Sequence, residues 1–223
     1  MKKYALIVAG GSGSRMQSQV PKQFLELNGR PVLMHTLEAF AQAGAEIELI
    51  VVLPAAWHDY WQKLLVLYNC TIPHQVVAGG RSRFMSVKKG LAKTGKEGLI
   101  AIHDGVRPLV SPALIKRCYQ TARQHGSGVA AVEPKDSLRQ LTDKGSRAVE
   151  RQQYRLMQTP QTFAADLLHE AYRQATDDKK FTDDATVVEH YGQQVHLVEG
   201  EYRNLKITTP EDLTIAQALL KNK

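Results

Sequence analysis

The stretch Tyr4-Ala5-Leu6-Ile7-Val8-Ala9-Gly10-Gly11-Ser12-Gly13-Ser14-Arg15-Met16, followed by Pro21-Lys22-Gln23-Phe24, decides the fold class. Its first half is a short, nearly continuous apolar run, the pattern of a parallel strand buried on both faces. Its second half packs glycines together directly after that strand. Backbone without Cβ atoms lets N–H groups approach an anion closely, which makes a phosphate cradle. A dinucleotide fingerprint needs a third glycine where Met16 stands, and a Walker A loop needs a Gly-Lys-Ser/Thr tripeptide that occurs nowhere in the chain. Two cations, Arg15 and Lys22, follow the glycines instead. Cations on phosphates suit phosphoryl or nucleotidyl transfer, in which charge builds on the attacked phosphate and the leaving group.

Further apolar runs at Ile47–Leu53, Leu99–Ile102, Val129–Val132 and Val195–Val198 predict more buried strands. Helical stripes separate them: Leu33, Leu37 and Phe40; Trp57, Trp61, Leu64 and Tyr68; Leu114, Cys118 and Ala122; Leu168, Tyr172 and Ala175. Ser111-Pro112 and Thr209-Pro210-Glu211-Asp212 mark helix starts, each a hydroxyl cap before a proline. This alternation predicts an α/β protein with a Rossmann-like, open, mostly parallel sheet and helices on both faces. Its ligand crevice is expected at the carboxyl ends of the strands. The stretch from Lys135 to Met157 breaks the pattern, being polar and basic with no apolar stripe, and predicts a protruding β-hairpin arm.

The 223 residues are 43% hydrophobic and 23% charged, enough for a sizeable core, and carry a formal charge of +7. No run of Lys/Arg exceeds two residues and no basic stretch is rich in aromatics, so neither nucleic acid nor a membrane is expected as partner. Small phosphate anions are. The Met1-Lys2-Lys3 start resembles a signal peptide only until Gly10-Gly11 ends its apolar run, so a first strand is expected. Cys70 and Cys118 lack metal-like spacing and are expected as free thiols in a reducing compartment.

The run His103-Asp104-Gly105-Val106-Arg107-Pro108 places an acid at a strand's carboxyl end. There it faces the crevice and suits Mg²⁺, which takes one or two carboxylates plus substrate phosphates. His103 is expected as a packed neighbour, and Arg107 as a lock on the loop or a phosphate contact. Gly79-Gly80-Arg81-Ser82-Arg83, with Ser86 in the helix after it, offers backbone groups to a base edge. Thr159-Pro160-Gln161-Thr162 and Thr182-Asp183-Asp184 offer hydroxyls and carboxylates, although the latter is also a plain helix cap. Lys206 sits between Leu205 and Ile207, which look buried, so an anionic partner is expected.

Taken in order, the glycine loop with Pro21-Lys22-Gln23-Phe24, His103-Asp104-Gly105-Val106-Arg107-Pro108, Gln158-Thr159-Pro160-Gln161, Phe181-Thr182-Asp183-Asp184-Ala185 and Asn204-Leu205-Lys206-Ile207-Thr208 resemble the sugar-phosphate nucleotidyltransferases. Within them the chain resembles the 2-C-methyl-D-erythritol 4-phosphate cytidylyltransferase family, over nearly its whole length. The resemblance implies one nucleotidyltransferase domain over residues 1–223, cytoplasmic and homodimeric through an arm at about 135–157. It implies CTP held by Ala9, Gly10, Gly11, Gly13, Gly80, Arg81 and Ser86, with Mg²⁺ on Asp104. Arg15, Lys22, Arg151 and Lys206 would be catalytic, and Asp104, Arg107, Ser137, Arg151, Thr159, Thr182 and Lys206 would meet the polyol phosphate. The arm would carry Arg151 to the neighbouring subunit's substrate. Gly105 and Val106 stand where members often carry two alanines, and Ser137 where they carry threonine. A pentitol-phosphate cytidylyltransferase and a non-catalytic nucleotide-binding protein are the rival readings. A nicotinamide oxidoreductase is disfavoured because the second apolar run ends at Leu53-Pro54 without an acid.

Overall fold

A computed structural model describes residues 1–10, 20–176 and 181–221. The sequence-predicted site residues Gly11, Gly13 and Arg15 lie outside the described residues. In chain order the strands are β1 (Lys3–Val8), β2 (Glu26–Leu27), β3 (Arg30–Pro31), β4 (Ile47–Leu53), β5 (Gln75–Ala78), β6 (Leu99–Asp104), β7 (Ser127–Val132), β8 (Arg139–Thr142), β9 (Gly145–Ala148), β10 (Leu156–Ala164) and β11 (Leu197–Glu199). The helices are α1 (Val32–Ala43), α2 (His58–Leu67), α3 (Arg83–Leu91), α4 (Pro112–His125), α5 (Ala165–Gln174), α6 (Asp184–His190) and α7 (Pro210–Lys221).

Seven strands form one sheet in the order β11-β7-β10-β6-β1-β4-β5. All run parallel except β10, which pairs antiparallel with both β6 and β7. The apolar runs are continuous because both sheet faces are covered. Ala5 and Ile7 of β1 face a core built with Leu33, Leu37 and Phe40 of α1, Trp61 and Leu64 of α2, and Leu114 and Cys118 of α4. The alternate residues Tyr4, Leu6 and Val8 face Phe84 and Val87 of α3, Leu168 and Tyr172 of α5, and Val187 of α6. The period-two alternation of a strand thus divides one run between two cores. Among the described residues no helix is long and apolar enough to cross a membrane.

The helix starts follow the sequence. The Ser111 hydroxyl accepts from the Leu114 amide at 3.0 Å as expected, whereas α7 starts at Pro210 with Asp212 reaching back to accept from the Thr208 and Thr209 amides at 2.8 Å each. At α6 the cap is Asp183, one residue beyond the threonine, in a reciprocal capping box with Thr186.

Two departures from the sequence pattern stand out. Thr159-Pro160-Gln161-Thr162, which no apolar run marks as a strand, is the middle of β10, a nine-residue strand buried beside β6. Proline inside a central strand normally argues against that assignment. Here the pairing with β7 shifts register between Met157 and Gln161, and Pro160 falls in that irregularity. The arm is therefore shorter than 135–157 at its far end, because Leu156 and Met157 already belong to β10. The hairpin itself is present: β8 and β9 pair antiparallel with all eight residues exposed.

Candidate active site

β1 is the strand from which the chain first winds one way, to β4 and β5, and then crosses to β6 on the other side. Strand order reverses there, and ligands of open α/β sheets bind at the carboxyl ends beside such a point. Val8 and Asp104 are in register across β1 and β6, and the Gly105 amide donates to Val8 O at 2.9 Å. A cavity of about 460 Å³ opens there, lined by Ala9, Gly10, Lys22, Gly80, Arg81, Ser86, Asp104 and Lys206 among others. Each of these eight is a residue the sequence singled out. A larger cavity, about 750 Å³ and mostly apolar, lies between α3 and α5 and contains none of them.

Lys22 is anchored by its two successors. The buried Gln23 side-chain amide donates to Ala9 O at 2.8 Å, tying this segment to the end of β1. Phe24 sits among Trp57, Tyr60 and Trp61 at ring separations of 5.7, 5.3 and 6.1 Å. Trp61 is fully buried core, as its helical spacing predicts, and Trp57 packs half-buried against the same core from the turn before α2, so that the pair braces Phe24 behind Lys22. On the other wall the Gly80 amide donates to the Ser86 hydroxyl at 3.0 Å, and that hydroxyl donates to Ser82 O at 2.8 Å. A Cβ at Gly80 would stand 2.4 Å from Met85 Cβ, so only glycine brings the backbone this close to α3.

Asp104 is the electrostatic centre. It is 7% exposed and faces three cations: Lys206 Nζ at 3.0 Å from Oδ2, Arg83 Nε at 3.4 Å from Oδ1 and Arg107 Nε at 3.5 Å from Oδ2. Burial alone raises its pKa, but the charges of Arg83, Lys206 and Arg107 outweigh burial and hold the carboxyl well below the usual range. Lys206 has the anionic partner its buried neighbours predict. Its loop is pinned by the Ile207 amide on Val106 O at 2.9 Å and by Asn204, whose side chain donates to Thr159 O at 2.8 Å.

Behind Asp104 lie three residues the sequence set in or near the crevice. Thr159 is buried, and its hydroxyl accepts from the Asp104 amide at 3.0 Å and meets His103 Nδ1 at 3.1 Å. It positions Asp104 from within the sheet and does not face the cavity. Arg107 donates to Asn204 O at 2.7 Å, the loop-locking arrangement. His103 is fully buried against Phe40, with its Nε2 3.2 Å from Arg107 O. Burial drives its pKa down to about 3, against the pull of Asp104, so it stays neutral and is no base in the cleft.

That depressed value carries a pH dependence. An unfolded histidine titrates near 6.5, so below that pH the unfolded chain binds a proton that the folded chain refuses until about pH 3. Stability is therefore fully present above pH 6.5 and falls as pH drops toward 3, by about 2 kcal/mol between pH 7 and 5. Burial also lowers His74 and His169, adding in the same direction. Denaturant titrations at both pH values measure the loss, which is expected to shrink in His103→Gln.

Ser137, Arg151 and Thr182 are exposed and do not line this cavity. Arg151 lies beyond the hairpin, its guanidinium donating to Lys135 O. The sequence reading assigned no role to Arg83, Gln23 or Asn204, although all three stand within the quoted runs.

Gly10 and Gly80, the cations Lys22 and Lys206 and one ionised acid at the switch point of a mostly parallel sheet suit a nucleotide-binding transferase. Comparison with known proteins makes this specific. The family model described as "IspD: 2-C-methyl-D-erythritol 4-phosphate cytidylyltransferase" matches residues 4–222. The chain is 50% identical over 220 residues to the 2-C-methyl-D-erythritol 4-phosphate cytidylyltransferase of Bacteroides thetaiotaomicron, covering 99% of this chain and 100% of that one. It is 48% identical to that of Porphyromonas gingivalis, covering 98% of each. Among solved structures it resembles the Thermus thermophilus 2-C-methyl-D-erythritol 4-phosphate cytidylyltransferase with a TM-score of 0.81 and 33% identity, covering 99% of this chain and 100% of that one. The Anaerococcus prevotii 4-diphosphocytidyl-2C-methyl-D-erythritol synthase superposes with a TM-score of 0.85 and 31% identity, covering 99% and 96%. The chain belongs to the 2-C-methyl-D-erythritol 4-phosphate cytidylyltransferase family and is a nucleotidyltransferase.

Proposed function

We propose that the cavity around Asp104 is where this enzyme transfers CMP from CTP to 2-C-methyl-D-erythritol 4-phosphate, a step of non-mevalonate isoprenoid precursor synthesis. The observation that carries the site assignment is the Asp104 carboxylate at the β1–β6 switch point, with Lys206 3.0 Å away and Lys22 on the same cavity. A phosphate oxygen of the polyol attacks the α-phosphorus of CTP. A new P–O bond forms in line as the bond to the β-phosphate's bridging oxygen breaks, and pyrophosphate leaves with the electron pair. The nucleophile is already ionised, so no general base is needed, in keeping with a neutral, buried His103.

Each residue then has a physical task. Gly10, Gly80 and Ser86 shape the nucleotide wall, with Ala9, Arg81, Gly11 and Gly13 assigned to it by the family resemblance. Lys22 and Lys206, with Arg15, meet charge that develops on the phosphates. Asp104 fits Mg²⁺: it is one carboxylate held ionised and open to the cavity. Among the described residues no group of three or more His, Cys, Asp or Glu gathers, so phosphate oxygens and water would supply the remaining ligands. When bound, the ion would neutralise phosphate charge.

Residues 1–223 form one domain in this reading, supported by a sheet that draws strands from Lys3 through Glu199. The β8–β9 arm pairs with a second copy and presents Arg151, with Ser137, to the partner's cavity, while Thr182 contributes from its own chain. Three features support this: a lone two-stranded hairpin is marginal in water, Leu141 at its tip is 83% exposed, and Arg151 does not line its own chain's cavity. The enzyme is placed in the cytoplasm with CTP, in keeping with two free thiols at Cys70 and Cys118.

Pyrophosphate release with CTP and Mg²⁺ tests the substrate: release with 2-C-methyl-D-erythritol 4-phosphate is expected, and release only with ribitol 5-phosphate overturns it. Arg151→Ala is expected to raise KM for the polyol phosphate about 10- to 100-fold with kcat nearly kept. That is the loss of one charge-assisted hydrogen bond made equally in ground and transition states. Steady-state kinetics at saturating CTP measures it.

A further inference from the structure

Arg83, the first residue of α3, joins two carboxylates that lie far apart in sequence. Its Nη1 donates to Asp184 Oδ1 at 2.9 Å and its Nη2 to Asp184 Oδ2 at 2.6 Å, a two-pronged grip. Its Nε points at Asp104 Oδ1, 3.4 Å away. Asp184 is fully buried and also accepts from the Tyr172 hydroxyl at 2.6 Å. The Asp184 and Ala185 amides both donate to Gln161 Oε1 at 2.9 Å, fixing the start of α6 to β10. The next residues of α3 carry Ser86, on the nucleotide wall, and two residues before Asp184 stands Thr182.

We infer that Arg83 is a positioning residue for the transfer: its grip on Asp184 holds the Asp104 carboxylate at a fixed distance from the Thr182 end of α6. It thereby sets the α-phosphate in line with the attacking phosphate. This rests on the function proposed above. Arg83 is not itself a phosphate ligand, because both terminal nitrogens are turned to Asp184 and its charge is matched by two carboxylates. Nor does stability account for it. A buried ion pair is about break-even against apolar packing, whereas a planar fork fixes direction as well as distance. Lysine keeps the charge and loses that geometry.

The test uses the full-length enzyme with Arg83→Lys and, in parallel, Lys22→Ala. For Arg83→Lys the expected result is a kcat about 100-fold lower, the effect of roughly an ångström of misplacement. CTP affinity, measured by calorimetry without metal, is expected within about 3-fold of wild type at one CTP per chain, because Arg83 lines the cavity with both terminal nitrogens committed to Asp184, and the Gly80–Ser86 hydrogen bond of the nucleotide wall does not depend on it. A kcat within about 2-fold of wild type overturns the role of Arg83, as does CTP affinity that weakens in step with kcat. If Lys22→Ala is undiminished as well, the site reading fails and takes this inference with it. Should Arg83→Lys not fold, Tyr172→Phe removes only the hydroxyl on Asp184. It is expected to lower kcat about 5-fold, one hydrogen bond's worth of register, and unchanged kcat with unchanged CTP affinity overturns the role.

Discussion

Asp104→Asn is expected to lower kcat by about 10³-fold, at the upper end for loss of a single preorganised electrostatic group. The side chain stays nearly the same size, so the loss is one of charge. With the carboxylate neutral, Lys206, Arg83 and Arg107 face one another without their shared anion. The cation held by Asp104 in the proposed reaction loses its protein ligand as well. Removing one member of a buried ion pair costs about 3–5 kcal/mol. The low end applies here, since Arg83 keeps Asp184 and the Lys206 side chain is 41% exposed. Thermal melts should therefore show a weakened but folded protein, and pyrophosphate release should show almost no turnover. A folded variant retaining a tenth of wild-type kcat would remove Asp104 from the centre of the chemistry.

Lys22→Ala is expected to lower kcat by about 10²- to 10³-fold, with a much smaller change in CTP affinity. Its ammonium acts on charge that grows between ground state and transition state, so the missing interaction is felt in the rate. The stability change should be small, because the Gln23 bond to Ala9 O and the Phe24 contacts anchor the backbone without it. Single-turnover rates beside CTP titrations separate the two effects. An unchanged rate with weakened CTP binding would recast Lys22 as a ground-state phosphate contact.

Continuous apolar runs revealed most of the sheet, because strands buried on both faces have no polar alternation to disguise them. β10 stayed hidden for the opposite reason. Its interior reads Gln158-Thr159-Pro160-Gln161-Thr162, and only the tertiary structure gives Gln158, Thr159 and Gln161 their partners in Asn204, His103, Asp183 and the α6 amides. Asp104 was legible as an acid at a strand's carboxyl end, and Lys206 as a charge between apolar neighbours. Whether Thr159 turns toward the cavity or the core depends on its place in the β10 ladder, which no local pattern states. The Arg83–Asp184 pair spans 101 residues and has no local signature. Arg107 was legible as a lock, and the structure shows the Asn204 carbonyl it locks onto.

The cavity's walls come from Ala9, Gly80 and Asp104, and its last cation from Lys206, in a loop held by docking on β10 and on Val106. A growing chain therefore displays its glycine loop long before it owns the lysine that completes the pocket. Contacts so far apart in sequence form late and slowly. During synthesis, at about 5–20 residues per second, seconds of translation separate the first strand from the first competent pocket. An incomplete chain is thus not a weak enzyme but an inactive one, and activity should arrive in one step with the last loop.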